Sequence, residues 1–208
     1  GQGASQAVDP DSPVVSFGPT PKEALLVGEK AAGRLVIIDP ETLEIVARIP
    51  AGGNLHELAT DGRYVYIGSN LPGITVVDAI AQKRVEPIDI SAFGDRHAIT
   101  FAGSHLYVGH ENQRLISRYD PATKKFDEVI GLPGGSHMLI VTPDEKRLFT
   151  ASSNGKVIAI MMRDGDDDFF ICLILAGEGG LDEALQRFGG DGDGVHVKKG
   201  RCVGSRVW

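Results

Sequence analysis

A segment of about forty residues recurs along this chain, and no other feature restricts the fold as strongly. Three copies open on histidine. They read HELATDGRYVYIGSNLPGITVVDAI from His56, HAITFAGSHLYVGHENQRLISRYDPAT from His97 and HMLIVTPDEKRLFTASSNGKVIAIM from His137. The lead histidines lie 41 and then 40 residues apart. A partial copy, ALLVGEKAAGRLVIIDPETLEIVARIP, precedes them; it lacks the histidine and keeps the later strands. Within a unit the spacing predicts strand, turn, strand, turn. His56 to Thr60 reads as a short strand, Asp61-Gly62 as a turn and Tyr64 to Gly68 as a second strand rich in aromatic and β-branched residues. Ile74 to Asp78 is the third, and a more exposed fourth is expected around Val85 to Ile90. Asp39-Pro40, Asp78-Ala79 and Asp120-Pro121 punctuate the third strand, because Asp bonds its own following backbone and Pro presets φ.

Four short strands per unit with no long helix between them is the rhythm of a propeller blade. The 27 glycines and 11 prolines fit a chain made of turns. One blade cannot bury both of its faces, so neighbouring blades must stack to make the core. The expectation is an all-β fold, a β-propeller of about four four-stranded antiparallel blades over residues 14–50, 56–90, 97–131 and 137–175. Residues 1–13 are small, polar and turn-rich and read as a flexible N-terminal segment, residues 14–175 as the blades, and residues 176–208 as an atypical C-terminal tail.

The phrase from His56 through Asn70, its counterpart from His137 through Asn154, and GRLVIIDPETLEIVARIPAGG resemble YVTN-type β-propeller repeats, including bacterial YncE-like proteins. The resemblance covers about residues 24–161. It implies a ring of usually seven blades, so that about four make an incomplete propeller. Related scaffolds include lactonases of the phosphogluconolactonase type, the haem-bearing domain of a nitrite reductase and the large subunits of quinoprotein amine dehydrogenases. A fold hosts many functions, so the site has to be argued from its own residues.

The repeat loses its pattern after Ile160, where Met161 replaces the turn aspartate. Phe169 to Leu175 can still serve as a last fourth strand. Leu181, Ala184, Leu185 and Phe188 have the spacing of one helix face, and Gly189 can end it. Residues 190–208, Gly-rich and finally basic, are expected to be loosely packed. Three readings stay open: a truncated propeller, a shifted reading frame beyond residue 161, or a four-bladed protein with an added segment.

The recurring histidines carry the strongest functional signal. In a propeller the first strand of each blade lines the central channel, so His56, His97 and His137 should occupy equivalent stations around it. Imidazole ligates when neutral and binds anions when protonated, which makes the three candidate ligand-binding residues. No metal site is assigned. His110 and Glu111 stand where the previous blade has Ser69 and Asn70, and a solvated turn is expected there. Asp164, Asp166 and Asp168 begin like a calcium loop, but Phe169 and Leu175 occupy its glycine and closing glutamate positions. Neither Cys172 nor Cys202 lies in a reactive or metal-binding motif, no serine sits in a nucleophile elbow, and no phosphate-cradling loop or dinucleotide fingerprint occurs.

The formal net charge of -7 argues against nucleic acid as partner, and no apolar run approaches the roughly 20 residues of a membrane span. The expected function is a secreted or periplasmic scaffold that binds a small molecule or a protein. The alternative is an enzyme of the lactonase or metal-dependent lyase type with its site at the channel mouth. Self-association through exposed terminal blades is a further expectation. No catalytic residue and no cofactor follow from these residues.

Overall fold

The structure, a computed structural model, describes residues 8–132, 134–152, 157–163 and 169–175, with side chains up to residue 152. Among the described residues every regular element is a strand. The first sheet holds β1 (Val15–Ser16), β2 (Leu25–Glu29), β3 (Arg34–Ile38) and β4 (Ile45–Pro50). The second holds β5 (Leu58–Thr60), β6 (Tyr64–Ile67), β7 (Thr75–Asp78) and β8 (Lys83–Arg84). The third holds β9 (Ala98–Ala102), β10 (His105–His110), β11 (Leu115–Asp120) and β12 (Lys125–Gly131). The fourth holds β13 (Met138–Val141), β14 (Arg147–Ala151), β15 (Val157–Arg163) and β16 (Phe169–Leu175). The helix expected near residues 181–188, the calcium-like aspartates and the tail lie outside the described residues.

These are the four antiparallel sheets that the repeat predicts. Three follow the simple meander order, β5-β6-β7-β8, β9-β10-β11-β12 and β13-β14-β15-β16. The first is different, with the order β1-β4-β3-β2. Its β1 pairs with β4, Val15 opposite Arg48, and so lies at the edge away from β2. The reason is legible in the alignment: ALLVG of β2 matches YVYIG of β6, so the sheet begins with a second strand and β1 is an addition beyond the fourth. The fourth strand of the second blade lies ahead of the expected Val85 to Ile90, at Lys83–Arg84. Pairing stops at Arg84, and Val85 to Ile90 contributes one isolated bridge, Ile88 to Ile74.

The chain divides into two compact units, Gly1–Ile99 and Thr100–Trp208. The core of the first is made where the first and second sheets face each other. Leu35, Ile37 and Ile49 meet Leu55, Val65 and Ile67 there, nearly all fully buried. Each such side chain contributes about 1.5–3 kcal/mol on burial, which is what holds one blade on the next. Close approach of the sheets needs a small residue at one recurring position. A Cβ on Gly28 would touch Leu55 and Leu58 at 3.4 Å, and one on Gly68 would touch Ile99 at 3.4 Å. The link between the two blades is equally constrained. Gly52 has φ of 90°, and a Cβ there would meet Leu71 Cγ at 2.6 Å and Ser69 Oγ at 2.8 Å.

The aspartate turns repeat in detail. Asp39 Oδ1 accepts from Glu41 N at 2.8 Å, Asp78 Oδ1 from Ile80 N at 3.0 Å, and Asp120 Oδ1 from Ala122 N at 2.8 Å. Four residues after each aspartate the backbone turns left-handed, at Leu43 (φ 61°), Gln82 (φ 51°) and Lys124 (φ 57°). Gln82 is anchored in that conformation by its amide, which donates to Gly18 O at 2.7 Å. Leu43, 73% exposed, has no such anchor in its packing. The left-handed conformation costs an ordinary L-residue about 1–2 kcal/mol and Asn less. Leu43→Asn should therefore raise stability by about 0.5 kcal/mol. A urea midpoint at or below that of the unaltered chain would contradict this.

Candidate functional site

The lead histidines enter their blades in the same way. His56 N donates to Gly68 O at 2.9 Å, and His137 N donates to Ala151 O at 2.9 Å. Gly68 and Ala151 hold the same place in the repeat, so the backbone fixes both imidazoles at one station of their own blades. His56 is exposed, while His97 and His137 are half-buried.

In the first unit His56 and His97 come together. Their ring centroids are 5.1 Å apart, with planes tilted by 49°. The strands behind them are tied, because Glu57 Oε2 accepts from Ile99 N at 2.7 Å. Arg96 stands next to His97 in sequence and is half-buried. Its guanidinium donates to Leu71 O at 2.6 Å. Burial lowers its pKa, with Asp95 opposing, yet an arginine remains a cation at any pH a protein survives. The first unit thus offers two imidazoles in contact and, from the residue before His97, a guanidinium held on Leu71 O.

In the second unit His137 lies against Glu111, Nδ1 to Oε2 3.4 Å. His110 does not sit in the solvated turn expected for it. β10 runs through His110, which is fully buried and shares a 2.8 Å hydrogen bond with Ser117 Oγ. It does the work of Ser69 in the preceding blade, whose hydroxyl bonds Thr75 at 3.0 Å in the same buried setting. His105, to which the repeat assigns no role, belongs to a polar cluster. Its Nδ1 lies 2.7 Å from Glu145, which also accepts from Tyr107 OH at 3.1 Å. Tyr107 stands opposite Arg118 in the β10–β11 register, and Arg118 binds Asp127 and Glu128. That register is the signal that exposes the cluster, and it exists only once the strands are paired.

Imidazole can ligate the iron of a haem, and guanidinium is suited to planar, two-pronged recognition of a carboxylate. Side chains of these types are able to hold an iron tetrapyrrole with acidic substituents.

Comparison with known proteins accords with that chemistry. The family model for the cytochrome D1 heme domain matches residues 20–174. No curated protein sequence matches the chain at a significant level. Hydrazine synthase of Kuenenia stuttgartiensis has a similar structure, with a TM-score of 0.57 and 16% identity over 86% of this chain and 67% of that one. Dihydro-heme d1 dehydrogenase NirN, solved in complex with DHE, gives a TM-score of 0.55 and 21% identity over 73% of this chain. The WD40 repeats of RRP9 give 0.60 and 13% over 76%. The chain spans only 34% of the NirN structure and 49% of the RRP9 structure. At these identities the likeness is one of fold, a β-propeller of which the described residues supply four sheets. The family match runs from just before the first complete blade strand to the end of the last one, and on it the chain belongs to the cytochrome D1 heme domain family.

Proposed function

We propose that this propeller is a binding scaffold for a carboxylate-bearing iron tetrapyrrole, held at the His56–His97 pair. The observation that carries the reading is the approach of two repeat-equivalent imidazoles to 5.1 Å. When bound, such a group supplies an iron centre able to exchange electrons. The chain's own part is to bind and orient it. His97, half-buried and steadied by the Glu57–Ile99 hydrogen bond, would offer the ligating nitrogen. Arg96, braced by Leu71 O, would hold a carboxylate. His137 joins the proposal through its repeat position, as the head of its own blade. The same reading places the protein in the periplasm, which the likeness to heme d1 proteins favours. Within the propeller class, phrases such as RYVYIGSN keep a YVTN-like character.

Titration of the purified chain with haemin, followed by absorbance, tests this. We expect saturable one-to-one binding. His97→Ala should change the ligand-sensitive bands and weaken binding about tenfold, a loss near 1.4 kcal/mol. Arg96→Ala should weaken it to a similar extent and leave those bands in place, because it acts on the carboxylate. His56→Ala and His137→Ala complete the series. Thermal melts of each variant separate lost binding from lost folding. Haemin uptake that ignores all four substitutions would overturn the proposal.

A further inference from the structure

The first sheet has an open edge. Its β2 matches β6 of the second sheet, with Leu25, Leu26, Val27 and Gly28 standing for Val65, Tyr66, Ile67 and Gly68. In the second sheet β6 lies between β7 and β5. In the first, β2 pairs with β3 alone, and among the described residues no strand takes the place of β5. The residues that lead into β2 do not fill that place, because β1 sits at the opposite edge, on β4.

The second sheet shows how such an edge is occupied. Leu58 stands opposite Ile67, Ala59 opposite Tyr66 and Thr60 opposite Val65. Gly68 N donates to Glu57 O at 3.2 Å, His56 N to Gly68 O at 2.9 Å and Asp61 N to Tyr64 O at 3.3 Å. The residues of β6 and its flanks that bond β5 are thus the alternate ones, Tyr64, Tyr66 and Gly68, as an antiparallel ladder requires. Their counterparts at β2 are Ala24, Leu26 and Gly28. Among the described residues nothing bonds the backbone of these three on that side. The opening ends at Lys30, whose carbonyl accepts from Asn54 N at 3.0 Å.

An open strand edge is commonly blunted by proline, lysine or a bulge, and β2 has none of these between Leu25 and Glu29. The apolar side chains along it are uncovered as well. Leu25 is 50% exposed and Val27 37%, whereas Val65 and Ile67 are fully buried.

We propose that the free edge of β2 accepts an extended strand from a partner polypeptide, antiparallel to it and patterned like β5. The register fixes the chemistry of that strand. An apolar residue falls opposite Val27, as Leu58 does opposite Ile67. A small residue falls opposite Leu26, as Ala59 does opposite Tyr66, and a β-branched one opposite Leu25, as Thr60 does opposite Val65. The residues before them supply the carbonyl and the N–H that bond Gly28, the parts that Glu57 and His56 play for Gly68. In strand addition of this kind backbone bonds give affinity, and alternate side chains give selectivity.

A fluorescein-labelled peptide with the sequence of residues 54–61, NLHELATD, is the probe, titrated with the 208-residue chain and read by anisotropy. We expect saturable one-to-one binding. N-methylation at the peptide position of Ala59, whose amide faces β2, should weaken binding about tenfold, the loss of one backbone bond. N-methylation at that of Leu58, whose amide points away, should leave binding unchanged. These two peptides need no altered protein. Val27→Asp in the chain should also weaken binding of the parent peptide, with circular dichroism and a thermal melt showing that the sheets persist. A peptide carrying Leu58→Lys should bind that variant better than the parent peptide does, because the two residues are directly opposed. A parent peptide that does not bind overturns the proposal. So does equal binding of the two methylated peptides, or binding that ignores Val27→Asp, which would put the peptide on another strand. Haemin is absent throughout, so the outcome is independent of the tetrapyrrole reading.

Discussion

Arg118→Met should lower the unfolding free energy by about 1–3 kcal/mol, more than a solvated surface pair and less than a fully buried one, because Glu128 is largely buried while Asp127 is open to water. The Arg118 side chain is 15% exposed. Its Nε and one terminal nitrogen donate to the two oxygens of Asp127 at 2.9 and 3.1 Å, and the other terminal nitrogen lies 2.9 Å from Glu128. Burial works against the charge, but Asp127, Glu128 and the Tyr107 hydroxyl outweigh it and raise the pKa of the guanidinium. Beside it the fully buried Tyr107 has its phenol pushed up, first by burial and then by Glu145. Methionine keeps the volume of the stem and removes the charge. Asp127, Glu128 and Glu145 are then left together in a partly dry setting. Arg118→Lys should recover part of the loss, because a point charge cannot reproduce a fork that reaches two carboxylates. Urea unfolding at fixed protein concentration measures the difference. A cost below about 1 kcal/mol is the range of solvated surface pairs and would mean that water reaches the cluster.

Asp78→Ala should cost about 2–3 kcal/mol at neutral pH, and the cost should shrink in acid. The aspartate is 3% exposed. One oxygen accepts from Ile80 N at 3.0 Å and Ala81 N at 2.9 Å, and the other from Arg63 at 3.1 and 2.8 Å. Burial alone would raise this carboxyl. The bonds from Ala81, Arg63 and Ile80 prevail and hold it below its ordinary value. A carboxyl lowered by folding adds stability above its unfolded pKa of about 3.9 and loses it as pH falls through the folded value. The gap between the unaltered chain and the variant should thus be constant from neutral pH down to about pH 5 and narrow below about pH 4. Asp89, Asp120 and Asp144 are also held low, so both proteins weaken in acid, and only their difference reports Asp78. A gap that stays flat to the lowest pH would show that the hydrogen bonds hold without the charge. Arg63→Ala should cost at most about 1 kcal/mol, since its side chain is 58% exposed and screened.

Much of this fold is local and therefore readable along the chain. The histidine spacing, the aromatic second strand and the aspartate turn are each satisfied within a few residues, as the Asp39, Asp78 and Asp120 turns are. Repetition of those local signals located all four sheets before any strand was paired. Long-range pairing was not legible. That β1 joins β4 depends on Val15 meeting Arg48 across more than thirty residues, which two residues of strand cannot announce. The left-handed residue after each turn aspartate likewise carries no constant residue type, being Leu43, Gln82 or Lys124.

The site divides along the same line. Repeat position alone singled out His56, His97 and His137, because equivalence in sequence becomes equivalence within a blade. The distance between His56 and His97, the bracing of Arg96 by Leu71 and the burial of His110 against Ser117 are settled only when blades stack. Packing decides which polar side chains lose water, and a side chain that loses water must find a partner. The sequence by itself determined the blade and its repetition, since both rest on hydrogen bonds and alternation within forty residues. The tertiary structure decided which polar groups meet and which apolar faces stay open, since both depend on what a neighbouring blade removes from solvent.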